Sequence, residues 1–172
     1  MDVSIVIVNY KTPLLLQACV KSIFEYSKGF EFEIIVVDNH SEDESKTLIT
    51  SNFPAVKWID MGFNSGFGSA NNKGIKIAEG DYVLLLNSDT ELYENSILKT
   101  LDYYIEQSKT KKIGLLGCRI EHRDKKLQPS SNYNWAGIKE EFQANPIVIL
   151  IFERLIKQKK LRSIHKYERL NS

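Results

Sequence analysis

Four short stretches of this chain mix acids, amides and small residues in a pattern that could hold a charged ligand: residues 9–12 (NYKT), 38–45 (DNHSEDES), 62–74 (GFNSGFGSANNKG) and 87–91 (NSDTE). Asp89 follows an apolar run, and its carboxylate is the hard oxygen donor that Mg²⁺ or Mn²⁺ prefers. One acid does not hold such an ion alone. A diphosphate could share it, and the charge on a departing nucleoside diphosphate would then be neutralised. For Asp38 the sequence leaves two readings open: an acceptor for a nucleobase N–H, or the closing group of an Asx turn or helix cap. Three glycines within nine residues, Gly66, Gly68 and Gly74, permit close backbone approach to a ligand or tight helix packing. They do not make a dinucleotide fingerprint, because Asn71 stands where the third glycine belongs and the stretch follows a third strand rather than a first.

Groups of this kind need rigid supports. Apolar or β-branched runs at 3–8, 32–37, 56–61, 82–87 and 113–118 read as strands buried on both faces. Helical patterns lie between them. The first, 13–27, opens with Thr12 and Pro13 at cap and first-turn positions. Ser41 and Glu44 have the spacing of a capping box for the second. The third spans about Gly68 to Glu79 and stops at Gly80; the fourth begins near Asn95. Strict alternation of strands and helices predicts a Rossmann-like three-layer α/β/α sandwich with a mostly parallel central sheet and right-handed crossovers. The four polar stretches then all fall at the C-terminal ends of strands, where ligands bind in such sheets.

Composition agrees with one globular unit: 172 residues, 42% hydrophobic and 26% charged. Cys19 and Cys118 sit in apolar runs without metal-ligand spacing and read as reduced core thiols. The start, MDVSIVIVNYKTP, has no basic leader, and no apolar run is long enough to span a bilayer, so a cytoplasmic location is expected. Residues 153–172 carry seven Lys or Arg against two Glu, about +5, which leaves about −4 for the rest. After Pro146 the apolar and basic residues alternate as in an amphipathic helix. Such a helix could lie on the inner face of a membrane or dock on a further part of the protein. Nucleic acid is not an expected partner, since the positive charge is confined to this tail and no binding motif accompanies it. His40, His122 and His165 lack zinc-ligand spacing and read as solvated.

Taken in order, VSIVIVNYKTPLLLQACVKSI, IIVVDNHSED, NSGFGSANNKGI and GDYVLLLNSDTEL resemble the family 2 glycosyltransferases, which have the GT-A fold, and especially their bacterial rhamnosyltransferase-like members. The resemblance covers roughly residues 3–131. It implies transfer of a hexosyl or rhamnosyl unit, with inversion, from a nucleotide-diphospho-sugar to a glycan or lipid-linked acceptor in polysaccharide assembly. It assigns Asp38 to nucleobase recognition, Asn64 and Asn72 to the loop around the nucleotide, and Asp89 to the final acid of the DxD metal motif, with Mg²⁺ or Mn²⁺ as cofactor. Asn9, Tyr10, Gly66, Asn87 and Ser88 complete the expected nucleotide site. Asn87 replaces the first acid of DxD, so fewer charges would hold the metal. The expected division is a nucleotide-sugar-binding domain over 1–131 and a helical, basic segment over 132–172. The general base is expected beyond the end of the chain, since Glu140, Glu141, Glu153 and Glu168 lie in amphipathic surroundings. Two alternatives are a non-catalytic nucleotide-sugar-binding module and a nucleotidyltransferase. The second ranks lower, because NYKTPLLL lacks the glycine-rich loop such enzymes carry after strand one.

Overall fold

A computed structural model describes residues 1–118, 121 and 150–153. In chain order the elements are β1 (Val3–Asn9), α1 (Pro13–Tyr26), β2 (Phe32–Asp38), α2 (Ser45–Asn52), β3 (Lys57–Asp60), α3 (Phe67–Ile77), β4 (Tyr82–Asn87), α4 (Ser96–Ser108) and β5 (Leu150–Glu153). The sheet order is β3-β2-β1-β4-β5, with β1 to β4 parallel and β5 antiparallel to β4. The α/β architecture predicted from the alternation is therefore present.

Side chains of β1 alternate between two cores, as a pleated strand requires. Ile5 and Ile7 pack with Leu16, Val20 and Ile23 of α1, Ile49 of α2 and Leu101 of α4. Val6 and Val8 face the other way, with Val37, Leu85 and Ala70 of α3. Gly74 lets α3 approach the sheet closely: a Cβ there would lie 2.4 Å from Val6 Cγ1. Of the two readings of the glycines, Gly74 serves helix packing, whereas a Cβ on Gly66 or Gly68 would meet nothing within 4 Å.

The N-terminal edge of the sheet is latched by polar groups. Glu33, buried in β2, accepts from Ser4 Oγ (2.5 Å) and from the Glu79 amide (2.7 Å), and pairs with Lys57 Nζ at 2.8 Å. Gly80 donates its N–H to Ser4 Oγ at 2.8 Å. No other residue fits at this point, because a Cβ on Gly80 would sit 2.6 Å from the Ser4 nitrogen.

Three expectations are corrected. Residues 113–118 form no strand: Gly114 and Gly117 weaken that run, and the segment instead meets α4, with Ile113 O accepting from Tyr104 Oη (3.0 Å) and Cys118 Sγ 2.7 Å from Thr100 Oγ1. The free edge of β4 is taken by Leu150–Glu153, residues read as helix; their β-branched and aromatic run LIFE suits a strand. The Ser41–Glu44 capping box does not form. Glu44 occupies the cap position without a side-chain bond, Asp43 Oδ1 accepts from the Ser45 amide (2.9 Å), and the Ser41 hydroxyl is used elsewhere. His122, His165 and the basic residues after 153 lie outside the described residues.

Candidate functional site

Strand register sets the site. Asn9 pairs with Asp38, Asp38 with Asp60, and Val8 with Asn87, so the polar ends of all four parallel strands share one edge. The strand order reverses between β1 and β4, the place where the edge opens into a crevice.

Asp38 is the anchor. Its Oδ1 accepts from Asn9 Nδ2 (2.7 Å) and Ser41 Oγ (2.5 Å), and its Oδ2 accepts from the Ser41 amide (2.9 Å). The buried carboxylate thus closes the turn after β2 by bonding the amide three residues on, a structural role, while Oδ2 keeps lone-pair capacity. Asn9 is fully buried, and its amide also donates to Ser41 Oγ (2.9 Å). Lys11 N donates to the same hydroxyl at 2.9 Å. Thr12, the cap residue of α1 by position, makes no side-chain cap bond. Its hydroxyl donates to Asn9 Oδ1 (2.9 Å) and meets Ser88 Oγ (2.9 Å).

Helix α1 holds the 87–92 segment at two more points. Cys19 Sγ donates to Asn87 O (3.6 Å), and Ser22 Oγ accepts from the Leu92 amide (2.9 Å). Burial pushes the Cys19 thiol up to about 12, helped by the negative charges of Asp89 and Glu91. On the β3 side, Asn39 Nδ2 donates to Asn64 Oδ1 (2.7 Å), and Asn39 Oδ1 accepts from the Ser65 amide (2.8 Å). Asn64 Oδ1 also receives the Gly66 amide (3.1 Å), and Gly66, at φ 81°, adopts a backbone that favours glycine.

Hydrogen bonds therefore join Asn9, Asp38 and Ser88 into one network, and Asn64 and Gly66 into a second that reaches Asn9 O through the Asn39 amide (2.8 Å). Tyr10 is exposed, with Lys11 Nζ 5.4 Å from its ring centre. Asn72 is exposed on α3 and outside both networks; its neighbour Asn71 is the buried amide, donating to Phe67 O (3.0 Å). Lys11, His40 and Glu42, the non-glycine residues with positive φ among those described, all lie in the loops after β1 and β2. Strain of that kind collects at functional sites. Beside Asp38 is an open pocket of about 210 Å³, bordered by His40, Ser45, Lys46, Trp58 and Asp60. Lys46 (2.6 Å) and Trp58 Nε1 (2.8 Å) bind the Asp60 carboxylate, and chiefly the Lys46 bond holds it below the ordinary range.

Asp89 is exposed, and its carboxylate takes no hydrogen bond or ion pair among the described residues. Those residues contain no cluster of three or more His, Cys, Asp or Glu able to hold a metal. The donor set fits an ion shared with a ligand's own oxygens and does not fit an all-protein cage. Thr12, Asn39 and Ser41 lie in the polar stretches but were not among the expected site residues; Thr12 and Ser41 read as helix caps, which hides their hydroxyl groups from pattern analysis.

The structure is an α/β domain whose polar strand ends gather along the edge that includes the switch between β1 and β4. The sequence model of the family described as Glycosyl transferase family 2 matches residues 4–165, and this chain belongs to that family. It is similar to the poly(ribitol-phosphate) beta-glucosyltransferase of Bacillus spizizenii, 31% identical over 121 residues, covering 67% of this chain and 19% of that protein. It is also similar to the poly(ribitol-phosphate) beta-N-acetylglucosaminyltransferase TarP of Staphylococcus aureus, 29% identical over 119 residues, covering 67% of this chain and 36% of the relative. Among solved structures, S. aureus TarS 1–349 in complex with UDP-GlcNAc matches with a TM-score of 0.61 at 22% identity, over 81% of this chain and 37% of that one. That last likeness confirms the GT-A fold. The chain thus spans well under half the length of these three proteins. No helix among the described residues is long and apolar enough to cross a membrane.

Proposed function

We propose that this chain is the donor-binding part of an inverting glycosyltransferase that moves a sugar from a nucleotide-diphospho-sugar to a glycan or lipid-linked acceptor. The observation that carries this reading is the exposed Asp89 carboxylate, without a hydrogen bond or ion pair among the described residues, at the end of a strand whose neighbouring polar groups are bonded to one another. A rigid edge of this kind pre-organises a site before the ligand arrives. The 210 Å³ pocket beside Asp38 is smaller than the roughly 300–1,000 Å³ of a whole ligand site, and so suits a fragment such as the base. Asp38 Oδ2 supplies an acceptor there, and Trp58 an aromatic border. Asp89, with Asn87 beside it, would hold a Mg²⁺ or Mn²⁺ together with the donor's diphosphate, and the ion would supply neutralisation of the leaving charge. The basic residues of 153–172 suit the anionic inner face of a membrane, where a lipid-linked acceptor would be met.

Calorimetry with UDP, TDP and GDP, in Mn²⁺ and in chelator, tests the reading. One of them should bind more tightly with Mn²⁺, and Asp89→Ala should remove most of that gain without lowering the melting temperature, since an exposed, unpaired carboxylate adds little stability. Full metal dependence in the variant would sink the assignment.

A further inference from the structure

The Thr12–Ser88 bond crosses from the turn after β1 to the end of β4, the two neighbouring strands between which the sheet order reverses. Its proton direction follows from charge. The Asp38 carboxylate only accepts, so the Asn9 side chain must turn its NH₂ toward Asp38 and Ser41 and its oxygen toward Thr12. Asn9 Oδ1 then takes the single proton of the Thr12 hydroxyl. With that proton spent, Ser88 is the donor in the remaining bond, and its oxygen presents only lone pairs outward. Every donor in the chain points from Ser88 toward Asp38.

Resting on the donor-site reading above, we infer that Thr12 is a positioning residue, which fixes the Ser88 hydroxyl and through it the presentation of the 87–89 turn to a divalent cation. The two ends of the chain depend on Thr12 unequally. Asn9 remains tied to Asp38 and Ser41 through its NH₂ if the Thr12 hydroxyl is lost, so the base side keeps its geometry. Ser88 loses the acceptor that orients its proton. Removal of this hydroxyl should therefore be felt in metal-dependent binding and not in metal-free binding. A cap residue would behave differently, since helix stability bears on both.

The test measures UDP affinity of the full chain in Mn²⁺ and in chelator for wild type, Thr12→Val, Thr12→Ser, Ser88→Ala and the Thr12→Val/Ser88→Ala double variant. Thr12→Val should weaken binding about five- to tenfold in Mn²⁺, the scale of one hydrogen bond, with chelator affinity unchanged. Thr12→Ser should restore it to within about twofold. The double variant should be no weaker than Ser88→Ala, because Thr12 acts through Ser88. In the ligand-free protein, the Asn9 side-chain amide resonances should shift in Thr12→Val and return in Thr12→Ser. Equal losses in Mn²⁺ and chelator, additive effects in the double variant, or wild-type binding by Thr12→Val would each overturn the inference while leaving the donor-site reading intact. If wild type bound UDP, TDP and GDP in neither condition, that reading would fall, and this inference with it.

Discussion

Asn39 and Asn64, 25 residues apart, are joined side chain to side chain by a 2.7 Å hydrogen bond that ties the loop before α3 to the end of β2. Asn39 Nδ2 donates that bond, and Asn39 Oδ1 accepts from Ser65 N and Ser65 Oγ, at 2.8 and 3.2 Å, so one buried residue organises the turn. The loop's geometry is thus set by a side chain outside it.

Asn39→Ala should release that turn. Three side-chain hydrogen bonds vanish, and a cost of about 1–3 kcal/mol is expected for the partners left unsatisfied. Hydrogen exchange should report faster exchange at the Ser65 and Gly66 amides, with the strands unchanged. Unaltered protection at both would show that the loop holds itself.

Asp38→Asn is isosteric yet should destabilise. Whichever way the new amide turns, its NH₂ faces a donor: Asn9 Nδ2 and Ser41 Oγ on one side, the Ser41 amide on the other. About 1–3 kcal/mol should be lost, read as a lower urea midpoint. Equal stability of variant and wild type would show that the carboxylate's bonds to Asn9 and Ser41 are dispensable.

Glu33 gives the acid limb of stability. Burial, the largest single influence, pushes its carboxyl up, but the Lys57 ammonium, Ser4 hydroxyl and Glu79 N–H together outweigh it and hold the pKa below 4.5. The unfolded chain therefore binds this proton first as pH falls. The contribution is complete above about 4.5 and is lost as pH drops through the folded value. Urea midpoints followed from neutral pH to about pH 3 should fall less steeply in Glu33→Gln than in wild type. Identical slopes would mean that other carboxylates carry the acid sensitivity.

Cys19 should be inert while folded. A thiol buried beneath the 87–92 segment, with its pKa near 12, forms almost no thiolate at about pH 8. A thiol-specific label should reach Cys19 only after denaturant is added. Cys118 is half-buried, also raised by desolvation, and should label slowly. Rapid native-state labelling of Cys19 would mean that α1 opens from the site.

Much of the fold was legible because parallel strands buried on both faces must be continuous apolar runs, and helices between them must carry one apolar face. Residues 3–8, 32–37 and 82–87 meet that demand without competition, and each became a strand. The run 113–118 did not: two glycines weaken it, and residues 150–153 pair with the edge of β4. A choice between distant competitors is invisible to a local pattern. The candidate residues show the same divide. Asp89 was conspicuous as an acid at a strand end, whereas Thr12 and Ser41 carried the ordinary signature of helix caps, which their hydroxyl groups do not serve.

By itself, then, the sequence determined the alternating α/β order and the gathering of polar residues at one end of the strands, because both follow from burial and periodicity over a few residues. Only the tertiary structure decided which of those polar groups meet. The pairing of Thr12 with Ser88, 76 positions apart, or of Asn9 with Asp38, 29 apart, depends on strand order and register bringing atoms within 3 Å. A hydrogen bond is lost within a few tenths of an ångström of that distance, and no local propensity specifies positions so finely across the chain.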